Sequence, residues 1–94
     1  MLKFEWDEAK NRRNKAKHGI SFERASAVFG DRMAQDFLDG RDDYGEERWL
    51  TVGMAQGEVL AVVNTQREER YRLISARKAT REETDAYFEN AGGT

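Results

Sequence analysis

An alternating stretch that runs without a break into a helix-capping signature, at residues 71–80, limits what this chain can fold into more than any other feature. Read with a period of two, Ile74 and Ala76 fall on one face with Arg72 and Lys78 at its ends, while Tyr71, Leu73, Ser75 and Arg77 share the other. The first face suits packing beneath helices. The second is apolar in its first half and polar in its last, as expected of a strand that leaves a core and reaches the rim of a cleft. Arg77 is therefore the first candidate functional residue. Thr80 and Glu83 then stand at capping-box spacing, which predicts a helix from Thr80 through Ala86 and Tyr87 towards Asn90.

The preceding residues supply the other elements. A short strand is expected at residues 2–6. Asp7 is a good N-cap for a helix that runs to about His18 and is closed by Gly19. Its apolar stripe is thin: Ala9, Ala16 and Ile20 recur near the helical period, and Asn11, Asn14 and His18 lie at i, i+3, i+7 on another face. Lys10, Arg13 and Lys17 follow the same spacing beside them, so the helix is expected to bury a narrow stripe and present a polar, basic flank. Ser21 caps a shorter helix in which Phe22, Ala25, Ser26 and Phe29 form the core face, ending near Gly30.

Residues 33–38 are read as an edge strand or extended segment and residues 40–45 as a polar loop. Three strands follow, at 48–54, 59–66 and 71–78. Gln56 and Gly57 make the first turn; the second, at 67–70, is charged and lacks glycine, so a connection longer than a two-residue hairpin is expected. The order strand, two helices, strands, helix predicts an α+β fold, with an antiparallel sheet of three to five strands, two helices before it and one C-terminal helix.

Ninety-four residues make one domain with a modest core. With no cysteine there is no disulfide, thiolate zinc site or cysteine nucleophile, which fits a reducing cytoplasm. The apolar run at 59–63 is far short of the roughly 20 residues that span a membrane, and the N-terminus does not read as a signal peptide. No phosphate loop, GxGxxG turn, HExxH helix or EF-hand is present, and no metal or cofactor is expected.

A net charge of −2 is a poor global match to a nucleic-acid binder, but the distribution is uneven. Residues 10–18 hold five cations and no acid, residues 36–47 hold six acids against Arg41, and a second basic segment contains Arg67, Arg70, Arg72, Arg77, Lys78 and Arg81. Each segment alone is ordinarily a solvated face. The single histidine, His18, at a helix C-terminus, has a structural use there through the dipole, and an acid–base use as the only side chain whose ordinary pKa lies near neutrality. A two-histidine ribonuclease mechanism is therefore excluded. Arg67, Arg72, Arg77 and Lys78 gather on the last hairpin, where guanidinium forks can hold a phosphate; for Arg70 and Arg81 surface ion pairing is the better expectation. Arg48 shares the parity of Leu50 and Val52 and is expected towards the helix side. Trp6, Trp49 and Tyr71 can stack on bases, although aromatics at strand positions are more often core.

These residues together resemble the BrnT family, ribonuclease toxins of bacterial type II toxin–antitoxin pairs. The resemblance covers nearly the whole length. It rests on Phe4, Glu5, Trp6 and Asp7, on Lys10, Asn14, Lys17, His18 and Gly19, on Ser21, Phe22, Glu23 and Ala25, and on Val28 and Phe29. It continues through Gly45, Glu46, Glu47 and Arg48, Gly53, Val62, Val63 and Thr65 to residues 74–79, Glu83 and Tyr87. The resemblance implies a RelE-like fold and metal-independent RNA cleavage that inhibits translation. It also implies neutralisation by a BrnA-type ribbon-helix-helix antitoxin, in a complex that represses its own operon, with the antitoxin contacting operator DNA. Asn64 stands where other members carry histidine, and Gly30 where others carry an acid. On this reading His18, Lys17, Ser75, Arg67 and Arg77 carry catalysis, and Arg48, Arg72, Lys78 and Tyr71 bind RNA. Two other readings stay open: a non-catalytic binding module, and a degenerate toxin that acts only through its antitoxin.

Overall fold

The computed structural model describes residues 2–39 and 47–91, so the expected polar loop at 40–45 lies outside the described residues. The elements are β1 (Lys3–Glu5), α1 (Glu8–His18), α2 (Phe22–Ala25), which continues as a 3-10 segment (Ser26–Gly30), β2 (Gln35–Leu38), β3 (Arg48–Ala55), β4 (Glu58–Arg67), β5 (Arg70–Lys78) and α3 (Arg81–Ala91). Local signals set most of the boundaries. The Asp7 carboxylate accepts from the N–H groups of Ala9 and Lys10, and Gly19 closes α1 in the left-handed region at φ 74°. Ser21 caps α2 through the N–H of Arg24. Thr80 Oγ1 accepts from the N–H of Glu83, whose carboxylate accepts from the N–H of Thr80, so the predicted capping box opens α3.

The five strands form one sheet in the order β1-β5-β4-β3-β2. Strands β2 to β5 are an antiparallel meander, but β1 pairs with β5 in parallel, through Lys3 with Arg70 and Glu5 with Arg72. The sheet is therefore mixed, not antiparallel as expected. The helices carry the chain from one sheet edge to the other, which leaves the first strand free to cover part of the exposed edge of the last.

The second hairpin also departs from expectation. Arg67 pairs directly with Arg70, so Glu68 and Glu69 form a two-residue turn, with Glu68 at φ 55° in place of the anticipated glycine.

A bulge breaks the period-two pattern of β5. Val63 pairs with Ser75 and Asn64 with Leu73, which leaves Ile74 without a partner on β4. Leu73 and Ala76 consequently both enter the core beneath α1 and α2, and Ser75 and Arg77 turn to the opposite face with Arg72. The expected grouping of Tyr71, Leu73, Ser75 and Arg77 is thus split at Ile74.

Each face of the sheet has its own apolar cluster. Ile20, Phe22, Ala25 and Val28 pack on Leu60, Val62, Leu73 and Ala76. On the other face Tyr87 of α3 packs with Val52, Val59 and Ala61. The 3-10 segment crosses β3 at Gly53, where a Cβ would lie 2.9 Å from both Ala34 Cβ and Val28 Cγ1. Tyr87 Oη donates to Asp31 Oδ2 at 2.5 Å, fastening α3 to the loop before β2.

Helix α1 docks differently from its predicted apolar stripe. Its buried residues are Asn11 and Asn14, and Ala16 is exposed. Asn14 Nδ2 donates to the carbonyls of Ile20 and Ala76, both at 2.8 Å, and its Oδ1 accepts from the Ala76 N–H at 3.1 Å. Asn11 Oδ1 accepts from the Phe22 N–H at 2.7 Å. The strand edge beyond β1 and the α1–α2 connection present buried backbone groups that need partners, and only polar side chains supply them.

Candidate functional site

Register fixes which side chains share the sheet face that α3 partly covers. Arg48 pairs with Thr65 and Thr65 with Arg72; one row further, Phe37, Leu50, Val63 and Ser75 are successive partners. Along β5 this face carries Arg70, Arg72, Ser75 and Arg77. Helix α3 packs over the Val52 and Ala61 row, which ends in Arg77, and the outer row of Arg48, Thr65 and Arg72 has an arginine at each end.

Two cavities adjoin this surface. The first, of about 310 Å³, lies at the end of the β4–β5 hairpin and is lined by Glu5, Thr65, Arg67, Glu68, Arg70 and Arg72. Glu5 reaches Arg70 at 3.5 Å and Arg72 at 3.3 Å, so part of its positive charge is compensated. The second, of about 330 Å³, lies between α1 and the outer edge of β5, lined by Lys10, Arg13, Asn14, Lys17, His18, Ile74 and Ser75. No acidic residue among the described residues lines it. Ser75 belongs both to this groove and, by register, to the arginine-bearing sheet face.

The candidate residues divide accordingly. Lys17, His18 and Ser75 come together in the α1 groove; Arg67 and Arg72 line the hairpin cavity, and Arg48 shares a row with Arg72. Arg77 lies on the same face as Ser75 but donates to both carboxylate oxygens of Glu83, at 2.8 and 3.1 Å. The bidentate bond to Arg77, assisted by the Thr80 N–H, holds the Glu83 carboxyl down at about 2 against the opposing effect of burial, and the same bond raises the Arg77 guanidinium. Lys78 pairs with Glu58 at 3.3 Å, on the side where Arg24 also reaches Glu58. Tyr71 is on the helix side, stacked among Phe4 and Phe29 with centroids 5.8 and 4.6 Å away. Trp6 packs edge-on to Phe22 at 5.9 Å.

Asn64 is wholly buried and donates through Nδ2 to Thr51 Oγ1 at 3.0 Å and the Val62 carbonyl at 2.9 Å, while its Oδ1 accepts from Gln66. Thr51 in turn donates to Asp36 at 2.5 Å. Asn64 is thus part of a satisfied amide network. Sequence reasoning assigned no role to Lys10 and Arg13, although their i, i+3, i+7 spacing with Lys17 was the signal for a shared face.

No helix among the described residues is long and apolar enough to cross a membrane. No curated protein matches the chain. The profile of a family described as “Ribonuclease toxin, BrnT, of type II toxin-antitoxin system” matches residues 6–83, which takes in α1, strands β2 to β5 and the capping box of α3. That description implies an antitoxin partner. The chain belongs to the BrnT family of ribonuclease toxins.

Proposed function

We propose that this protein is an endoribonuclease toxin that cleaves RNA without a metal ion and so inhibits translation. In this reading the RNA 2′-hydroxyl attacks the adjoining phosphate, leaving a 2′,3′-cyclic phosphate on one product and a 5′-hydroxyl on the other. His18 or Lys17 carries a proton, Ser75 orients the phosphate, and Arg67 and Arg77 stabilise the charge that develops on it. Arg48, Arg72, Lys78 and Tyr71 are assigned to RNA binding, of which Arg48 and Arg72 have the most direct support because they share the arginine face. The single observation that carries the reading is the placement of Ser75 where the cationic α1 groove meets that face.

The same reading gives the protein a RelE-like fold and a cytoplasmic location. Its antitoxin is a BrnA-type ribbon-helix-helix protein, and the complex represses its own operon with the antitoxin contacting DNA. Purified protein in EDTA should cleave an RNA and leave cyclic phosphate ends, and should spare the same RNA with 2′-deoxy substitutions at the cut site. Cleavage of the deoxy substrate would remove the 2′-hydroxyl mechanism.

A second reading, a degenerate toxin acting only through its antitoxin, is favoured by one observation. Asn64, where the resemblance would set a histidine, is an amide committed to internal hydrogen bonds. Absence of cleavage, with an intact complex with the antitoxin, is the outcome it requires.

A further inference from the structure

We infer that Lys10 and Arg13 form a phosphate-binding rail with Lys17 along α1, which holds single-stranded RNA beside the site proposed above. This rests on the ribonuclease reading and adds the substrate's path. The three cations stand at i, i+3 and i+7 and line one groove with His18, Ile74 and Ser75. From Lys10 to Lys17 the helix rises about 10 Å. That is the length of about three nucleotides of a stacked strand at about 3.4 Å each.

Charge pairing separates this groove from the hairpin cavity. Arg70 and Arg72 share Glu5, whereas Lys10, Arg13 and Lys17 take part in no ion pair within 4 Å among the described residues. Asp7 acts on Lys10 and Arg13 only at longer range, its carboxylate being turned to the N–H groups of Ala9 and Lys10. Three cations on one groove, with no acid among the described residues of its lining, leave a site for a polyanion. The groove is also of fixed width, because Asn14 clamps α1 to both backbone groups of Ala76. Its volume of about 330 Å³, with Ile74 and Ser75 in its lining, suits one strand of nucleotides rather than a duplex.

Fluorescence anisotropy with a short labelled 2′-O-methyl oligoribonucleotide, which cannot be cleaved through its 2′-oxygen, reads the rail without the chemistry. The double substitution Lys10→Ala with Arg13→Ala should weaken binding and lower the slope of log affinity against log salt by about 1.4, two phosphates at about 0.7 each. Arg12→Ala with Lys15→Ala removes the same charge from exposed positions outside the groove and should leave the slope near the parent value. An unchanged slope in the groove variant overturns the inference, as does an equal loss in the control pair or no binding by the parent. Competition by polyglutamate as effective per charge as the oligonucleotide would assign the groove to an acidic polypeptide and overturn it too. Cleavage of ordinary RNA, measured separately, distinguishes the two proposals. A slope change without cleavage removes the ribonuclease reading alone, and cleavage with an unchanged slope removes the rail alone.

Discussion

Arg77 and Glu83 are joined by two hydrogen bonds, and the Glu83 carboxylate is also the capping-box acceptor for the Thr80 N–H. One carboxylate therefore starts α3, anchors it to the end of β5 and neutralises the arginine nearest to Ser75 on that strand. Because the folded Glu83 carboxyl sits at about 2, below its ordinary value of 4.5, its contribution is complete above about pH 4.5 and is lost as the pH falls towards 2. Glu83→Gln should thus be less stable than the parent at pH 6, and the gap in melting temperature should narrow steadily on acidification. A gap that is constant from pH 6 to pH 2.5 would show that the pair does not stabilise the fold.

The docking of α1 is expected to depend on Asn14 more than on any apolar residue of that helix. Asn14→Ala leaves the N–H and carbonyl of Ala76 and the carbonyl of Ile20 without their partner in a buried setting. The cost should be on the order of 3 kcal/mol. Ala16→Ser, at an exposed position of the same helix, should change stability by less than about 0.5 kcal/mol. Urea unfolding of both variants checks the contrast.

At Gly53 the 3-10 segment approaches β3 so closely that a methyl group meets Val28 and Ala34 at 2.9 Å. Gly53→Ala should lower stability by about 1–3 kcal/mol through overpacking. Gly30→Ala, where the space is open, should be close to neutral in the same unfolding measurement.

Tyr87 ties the last helix to Asp31, whose carboxylate also accepts from the N–H groups of Met33 and Met54. Burial would raise the Asp31 carboxyl, but these three bonds outweigh it and hold it below the ordinary value. Tyr87→Phe should cost about 2 kcal/mol, the range for a hydrogen bond to a charged group. Burial, with the bond to Asp31, pushes the Tyr87 hydroxyl up to about 12 from an ordinary 10. The parent's advantage over the variant is then present below pH 10 and fades as the pH rises to 12, because the unfolded chain ionises first. Denaturation curves between pH 8 and 11.5 should show this loss.

What could be read from the sequence is what depends on neighbours in the chain. Asp7, Gly19, Ser21 and the pair Thr80 and Glu83 each satisfy helix-end groups within a few residues, and they marked those ends correctly. The parallel seating of β1, the bulge at Ile74 and the burial of Asn11 and Asn14 depend on partners far along the chain. Asn14 and Ala76, for example, are separated by 62 residues. Periodicity counts asparagine as a polar, outward residue and cannot register a strand edge that needs one inside.

The same division holds at the candidate site. The shared helix face of Lys10, Arg13 and Lys17 follows from spacing alone. That Ser75 borders their groove follows only from the clamp at Ala76 and the bulge before it. Tyr71 sits within an aromatic cluster because Phe4 of the parallel strand and Phe29 of the 3-10 segment both reach it.

Single-turnover cleavage of RNA in EDTA, with parent, Ser75→Ala and Arg12→Ala proteins purified identically and checked by circular dichroism, tests the ribonuclease proposal most directly. The parent and Arg12→Ala should cleave at the same rate, and Ser75→Ala should be slower by roughly 10²–10³, the usual loss for one donor to a developing charge. Equal rates in all three, or no cleavage by a parent protein that inhibits no translation, would contradict it.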